Sequence, residues 1–399
     1  MTEDELFKNI TVLSLEQAIV VPYFTYKMVL EGANVIRIEN PQRHDPNRLV
    51  GEDVLNEYGM NTYYLTINAG KKAITLNLKE DRGRELLYKL IKKLNVDIFV
   101  TNQLPKNYKK LGIDYETLKS VKPDIIWIGV TGFGPDSNEG AYDPILQARS
   151  GLMDVTGEPD GSPQVLGIPL PDMGSSEMVF GLAMKALYKR ALTGEGSKID
   201  FSMFESSVSW HAINIPMVAT FNKKITRRGN THEFFAPVSV YKTKDGYIYI
   251  AVGNNRQWED FVKLPGFEIL DKPEYKMNEG RIKDVENLNR QIEKITINFK
   301  TDELLQLLKE ITVPASKINT VKDVISDHYL KGKFIYTEDK KSGLKITLCP
   351  PGHNTEFLNN VDRNLTFPPR LGEHNKVIYN EILGLSTQET EKLKKEGII

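Results

Sequence analysis

The sequence predicts an α/β fold: a Rossmann-like, mostly parallel sheet in a large domain, with a smaller α+β domain inserted into the chain. Three observations carry that expectation. Short apolar runs alternate with amphipathic helical stretches through the first third of the chain, which is the rhythm of βαβ crossovers. A hairpin-like pair flanking Lys244–Gly246 breaks the rhythm in the second half,. Beyond it the chain turns Pro-rich at Pro350, Pro351, Pro368 and Pro369, then closes on a helical stretch.

In chain order, Ile10–Leu15 reads as a strand, Tyr23–Gly32 as a helix and Asn34–Glu39 as a second strand. Ala73–Leu78, Val96–Thr101 and Asp124–Gly129 read as further strands, separated by helices at Arg82–Leu94 and near Tyr115–Ser120. The first of these helices lines up Leu86, Leu87, Leu90 and Ile91 on one face with charges opposite,. A helix is expected over Ser175–Thr193, closed by Thr193-Gly-Glu-Gly196, then a strand at Lys198–Met203. The expected organisation is a large domain over 1–205 completed by 370–399, a helical linker over 206–226, a small domain over 227–330 and an extended return linker over 331–369. Ala236–Tyr241 and Tyr247–Val252 form the small domain's hairpin, and Ser386–Glu396 is the closing helix.

Composition narrows the function. The 399 residues are 40% apolar and 26% charged, ordinary for a globular chain with a sizeable core. A net charge of −1 gives no electrostatic reason to expect nucleic acid or an anionic membrane as partner. The single cysteine, Cys349, excludes an intrachain disulfide and a Cys-based zinc cluster. None of the six histidines stands at i, i+4 from another, so no metal is expected. Met1–Leu6 is acidic and lacks the basic and apolar regions of a signal peptide,. No apolar run approaches the ~20 residues that span a bilayer. These features together read as a cytoplasmic protein.

Chemistry concentrates at Gly167–Gly174, G-I-P-L-P-D-M-G, which runs into the Ser175–Thr193 helix. It puts Asp172 at an expected strand-to-helix junction, where unpaired N–H groups and the helix dipole hold a carboxylate ionised. Gly174 leaves room there for a substrate to approach the backbone. Taken alone, an aspartate before Gly-Ser-Ser is more often a turn or N-cap residue. Glu39 ends the second strand as a ribose-binding acid would, but the loop Gln17-Ala-Ile-Val-Val-Pro22 has no glycine to wrap a pyrophosphate,. NAD and FAD are therefore not expected; a nucleotide held differently at the same sheet edge stays open. Gly174-Ser175-Ser176 is not a G-x-S-x-G elbow,. The small basic clusters Lys106–Lys110 and Arg227–Arg228 are either solvated surface or phosphate ligands,.

A series of segments in order carries a resemblance. It includes G-A-N-V-I-R-I-E-N-P (Gly32–Pro41), H-D-P-N-R (His44–Arg48), N-A-G-K-K-A-I-T-L-N-L (Asn68–Leu78) and T-N-Q-L-P (Thr101–Pro105). T-G-F-G-P (Thr131–Pro135), Y-D-P-I-L-Q-A-R-S-G-L-M (Tyr142–Met153), P-D-M-G, R-R-G-N (Arg227–Asn230) and G-N-N-R-Q-W (Gly253–Trp258) follow. Running essentially end to end, the chain resembles the class III coenzyme A transferases, the family of formyl-CoA, carnitine-CoA and bile-acid CoA transferases. The resemblance implies transfer of coenzyme A from an acyl-CoA donor to a carboxylic acid acceptor, with Asp172 as nucleophile and aspartyl anhydride and aspartyl-CoA thioester intermediates. It also implies a homodimer of interlocked ring-like chains. Coenzyme contacts fall on Ala18, Val20, Asn40, Leu76, Asn102, Gln103, Lys110 and Met203, with Asp143 and Gly174 supporting the site. Departures stand at Ile19, where the formyl-CoA enzyme has glutamine, at Asn40 in place of a basic residue and at Gln103 in place of an aromatic. Gly253-Asn-Asn-Arg replaces a run of four glycines. These departures argue against oxalate and formate as the substrate pair and leave the acyl group open.

Two other readings share the fold. An α-methylacyl-CoA racemase pairs its aspartate with a histidine in a G-H-D segment; here that segment is Ala141-Tyr142-Asp143. A tyrosine with an unperturbed pKa near ~10 is a poor base at neutral pH. A non-catalytic acyl-CoA binding protein would bind without turnover.

Overall fold

The central strands of the large unit alternate their apolar side chains between two cores, and that alternation builds a sheet covered on both faces,. The computed structural model describes residues 3–399; Met1 and Thr2 of the acidic opening stretch lie outside the described residues. The strands β1 (Thr11–Leu15), β2 (Asn34–Glu39), β3 (Lys72–Thr75), β4 (Ile98–Thr101), β5 (Ile126–Thr131) and β6 (Ser197–Ser202) form a six-stranded sheet in the order β3-β2-β1-β4-β5-β6. Every neighbouring pair is parallel. Val12, Val35, Ile98 and Ile126 point to one core, with helices Val20–Leu30 and Leu170–Thr193. Leu13, Ile36, Phe99 and Trp127 point to the other, with helix Asp81–Lys93 and the C-terminal helix Thr387–Lys395. The strand order reverses direction between β1 and β4, so the loops after these strands open a crevice at their carboxyl ends.

The described chain divides into two compact units, one of 1–152, 165–223 and 332–399, the other of 153–164 and 224–331. The second unit carries the antiparallel strands β7 (Val238–Lys242), β8 (Tyr247–Ala251) and β9 (Ala315–Lys317). Its core joins Ile248 and Ile250 to Leu288 and Ile292 of helix Val285–Thr296 and Leu304 and Leu308 of helix Thr301–Glu310.

Three stretches differ from the expectation. The long helix expected over Ser206–Thr226 is two short ones, Met203–Ser209 and Asn214–Ala219. Pro216 accounts for the break, because it cannot donate the i→i−4 bond a continuous helix requires. The Leu170–Thr193 helix starts five residues before Ser175, with Pro171 in its first turn, where a missing N–H costs nothing. The segment 331–369 is folded rather than extended. It supplies β10 (Ile335–Glu338), β11 (Lys345–Leu348) and β12 (Asn364–Leu365), and Ile335, Leu348, Leu358 and Leu365 join the first core. Alternating burial on β10, with Ile335 and Thr337 in and Tyr336 and Glu338 out, is the physical signature of that strand.

Candidate active site

Asp172 lies in the first turn of helix Leu170–Thr193, entered from the bend Gly167-Ile168 rather than from a strand. Its own backbone N–H donates to Oδ2 of Asp143 at 3.2 Å. Asp143, on helix Asp143–Arg149, is held in turn by Gln147, whose Nε2 donates to Oδ1 at 2.5 Å. The Gln147 Oε1 accepts the Leu166 N–H at 2.8 Å, which fixes the approach to the Asp172 helix. Burial and then the Asp143 carboxylate push the Asp172 carboxyl up to about 7. Burial likewise raises Asp143, opposed by the hydrogen bonds it accepts. Two carboxyls brought together out of water thus draw Asp172 toward its protonated form, whereas the helix N-terminus alone leads one to expect an ionised carboxylate. Burial and the same two carboxylates raise the Tyr63 phenol.

A second feature sits at the carboxyl ends of β1, β2 and β3. A cavity of about 390 Å³ is lined by apolar Leu15, Ile38, Leu76, Leu78 and Leu111, and by the polar pair Asn40 and Gln103. The cations Arg43, Lys79 and Lys110, all exposed, also line it. The acids Glu16, Glu39 and Asp45 line it too, so the wall is mixed; its apolar patches suit the arm of a long ligand and its rim cations suit anionic phosphates.

The loop between β1 and helix Val20–Leu30 links the two features. Gln17 lines the cavity, and Asn102 clamps it by accepting the Gln17 N–H at 3.2 Å and donating to the Gln17 carbonyl at 2.7 Å. Ala18 is left-handed, φ 62°, a conformation that costs a non-glycine residue roughly 1–2 kcal/mol. Asp45 holds it there, accepting the Ala18 N–H at 3.1 Å, while Asn47 Nδ2 donates to the Ala18 carbonyl at 2.7 Å. At the loop's end the Val20 carbonyl accepts the Ser176 hydroxyl at 2.6 Å, one turn past Asp172.

Part of the cavity wall, through Glu16, Glu39 and Asp45, belongs to a charged cluster that the sequence alone did not reveal. Glu16, Arg37, Glu39, Asp45, Arg48 and Lys71 are all buried, three acids against three bases. Arg48 grips Glu39 with Nε–Oε2 at 2.8 Å and Nη2–Oε1 at 2.6 Å. Arg37 bonds Asp45 at 2.9 Å, and Lys71 bonds Glu16 at 3.0 Å. The arginines hold Glu39 down at about 2 despite the opposing effect of burial. Burial pulls Lys71 down to about 8. Glu39, considered from sequence only as a ribose ligand, is a structural anchor. The usable signal was an Arg and a Glu spaced two apart within a run of apolar strand residues.

Of the sequence-predicted contacts, Asn40, Leu76, Gln103 and Lys110 line the one cavity. Ala18 and Val20 belong to the linking loop. The Asn102 side chain is occupied by Gln17, and Met203 is a core residue packed with the Asp172 helix. Gly174 has a different reason for being glycine than substrate access: a Cβ there would run into the Trp210 indole. Tyr142 is 77% exposed. Among the described residues no cluster of metal-ligating side chains occurs, and no helix is long and apolar enough to cross a membrane.

The parallel α/β sheet thus carries at its switch point a cavity with cations at its rim, and the loop that walls it is tied through the Ser176–Val20 bond to the helix of Asp172. Comparison with known proteins makes this specific. The family described as CoA-transferase family III matches residues 7–375, so the chain belongs to that family and is an enzyme transferring coenzyme A between an acyl-CoA and a carboxylate. It is similar to the mouse succinyl-CoA:glutarate CoA-transferase, 30% identical with 98% of this chain and 90% of that protein covered. A succinyl-CoA:mesaconate CoA-transferase of Haloarcula hispanica is 28% identical over 96% of this chain and 98% of that protein. Among solved structures, a CAIB/BAIF family protein from Brucella suis superposes with a TM-score of 0.80 at 31% identity, covering 94% of this chain and 98% of the other.

Proposed function

We propose that the chain moves coenzyme A from succinyl-CoA to a small dicarboxylic acid through covalent intermediates on Asp172. The observation that carries the reading is the half-buried Asp172 carboxyl, raised to about 7 and tied through one short loop to the cavity with cations at its rim. Succinyl-CoA is chosen because it stands in the names of the relatives, with glutarate and mesaconate as their acceptors.

In this mechanism the ionised Asp172 attacks the thioester carbonyl, and the C–S bond breaks to leave a mixed anhydride and the free thiolate. The thiolate attacks the Asp172 carbonyl carbon, releasing the donor's carboxylate and leaving an aspartyl-CoA thioester. The acceptor carboxylate attacks that thioester, giving a second anhydride and the thiolate again. Thiolate attack on the acceptor's acyl carbon yields the new acyl-CoA and restores Asp172. Each anhydride survives only if water is kept out. For the coenzyme, Lys110, Arg43 and Lys79 meet phosphates and Leu76 the apolar arm, with Asn40 and Gln103 offering polar contacts. Ala18 and Val20 contribute backbone, Asn102 holds Gln17 and Met203 supports the helix.

The test is turnover of succinyl-CoA with glutarate by wild type and by Asp172→Ala. Wild type is expected to form glutaryl-CoA, and a folded Asp172→Ala to form none; retained turnover would contradict the reading. We further assign the molecule to the cytoplasm as an interlocked homodimer with the unit of 224–331 inserted in the chain. Sedimentation should show a dimer that separates only on unfolding.

A further inference from the structure

Helices Val20–Leu30 and Leu170–Thr193 lie side by side in the same core, with Val20, Val21 and Phe24 of one packed with Val179 and Ala183 of the other. The Lys27–Glu177 ion pair at 2.9 Å closes the seam on its outer side. At the end of the seam where both helices begin, Ser176 is fully buried. Its Oγ lies 2.6 Å from the Val20 carbonyl and 2.8 Å from the Asp172 carbonyl. The hydroxyl carries one proton, so the two carbonyls share it as a three-centre bond; the share to Asp172 is the ordinary i→i−4 back-bond of a helical serine. The bond to Val20 is not local: it crosses 156 residues of sequence and ends on the first residue of the helix that follows the coenzyme-cavity loop.

We infer that Ser176 is a positioning residue, pinning the first turn that carries Asp172 to the loop that walls the coenzyme cavity. This rests on Asp172 being the nucleophile. The loop is fixed at its other points by groups already paired: Asn102 at Gln17, and Asp45 and Asn47 at left-handed Ala18. Beside the apolar packing and the Lys27–Glu177 pair, Ser176 is the hydrogen bond that ties this fixed wall to the Asp172 turn. Reactions of bound partners depend steeply on approach, with about 1 Å of misplacement costing on the order of 10²-fold. A single buried hydroxyl between nucleophile turn and coenzyme wall is therefore well placed to govern rate without touching substrate.

Ser175 supplies an internal control. It is equally buried, in the same helical turn, yet its hydroxyl has no hydrogen-bond partner. Ser176→Ala and Ser175→Ala thus delete the same atom from adjacent buried sites, one with the cross-link and one without.

The experiment measures the single-turnover rate of adduct formation on Asp172 from succinyl-CoA, with coenzyme A affinity and thermal unfolding in parallel. Ser176→Ala is expected to slow adduct formation about tenfold or more while coenzyme affinity stays within about twofold. Ser175→Ala is expected to match wild type, and Ser176→Cys, which keeps a weak donor, to fall between. Equal rates for Ser176→Ala and wild type, or equal slowing by both alanine variants, would overturn the positioning role. If Ser176→Ala is too unstable to assay, Ser176→Cys decides alone: a slowed rate with unchanged coenzyme affinity supports the role, an unchanged rate removes it. Absence of any adduct in wild type would instead refute Asp172 as nucleophile.

Discussion

Two sets of carboxyls stand at the carboxyl end of the same sheet, and they titrate in opposite directions. Glu39 is buried among Arg37 and Arg48 and is held at about 2. Asp172 is half-buried beside another acid, Asp143, and is pushed up to about 7. Burial disfavours both charges; the difference is the neighbour. Where a guanidinium offsets the desolvation, the carboxylate becomes permanent structure. Where a second carboxylate adds to it, the group gains and loses its proton in the range where an enzyme works.

The sharpest way to break this contrast is to remove the paired acid. Glu39→Gln leaves Arg37 and Arg48 buried without their shared partner, and is expected to cost roughly 3–5 kcal/mol of stability, read by denaturant unfolding. Its pH signature follows from the sign of the shift. A carboxyl whose folded value of about 2 lies below its ordinary 4.5 contributes stability that is complete above about 4.5 and lost as pH falls toward 2. Wild type should lose stability through that window more steeply than Glu39→Gln.

A smaller effect is expected from relieving the unpaired site. Asp172 must be ionised to attack, so kcat/KM should rise with pH through a limb near its raised value. Asp143→Asn removes the like charge and should move that limb to lower pH, though not to the ordinary 3.8, because burial is the larger cause. A limb that does not move would show that Asp143 leaves the nucleophile's proton alone. Smallest is Lys110→Ala at the cavity rim. Loss of one exposed cation is expected to weaken coenzyme A binding several-fold, about 1 kcal/mol, with little change in kcat; unchanged affinity would remove Lys110 from the site.

Much of the large unit was legible because its signals are local. The short apolar strands and the amphipathic Asp81–Lys93 helix declare themselves within a dozen residues, and P-D-M-G marked Asp172. What stayed hidden depends on partners far away in sequence. The strand β10 reads as linker until its burial against residues of the N-terminal half is known. Gly174 reads as open space until Trp210 fills it, and Glu39 as a ligand until Arg48 closes on it. Ala18 shows the same lesson, since a left-handed alanine is unexpected until Asp45 is seen holding its N–H. The raised carboxyl of Asp172 depends on Asp143, twenty-nine residues away in sequence, and no local motif states that distance.

The central claim is that Asp172 forms a covalent bond during transfer. Its most direct test is mass spectrometry of the peptide containing Asp172 after incubation with succinyl-CoA, with and without borohydride. The account predicts a coenzyme A adduct, or reduction of Asp172 to the alcohol only when the acyl-CoA is present. An unmodified Asp172 in enzyme that is turning over would contradict it.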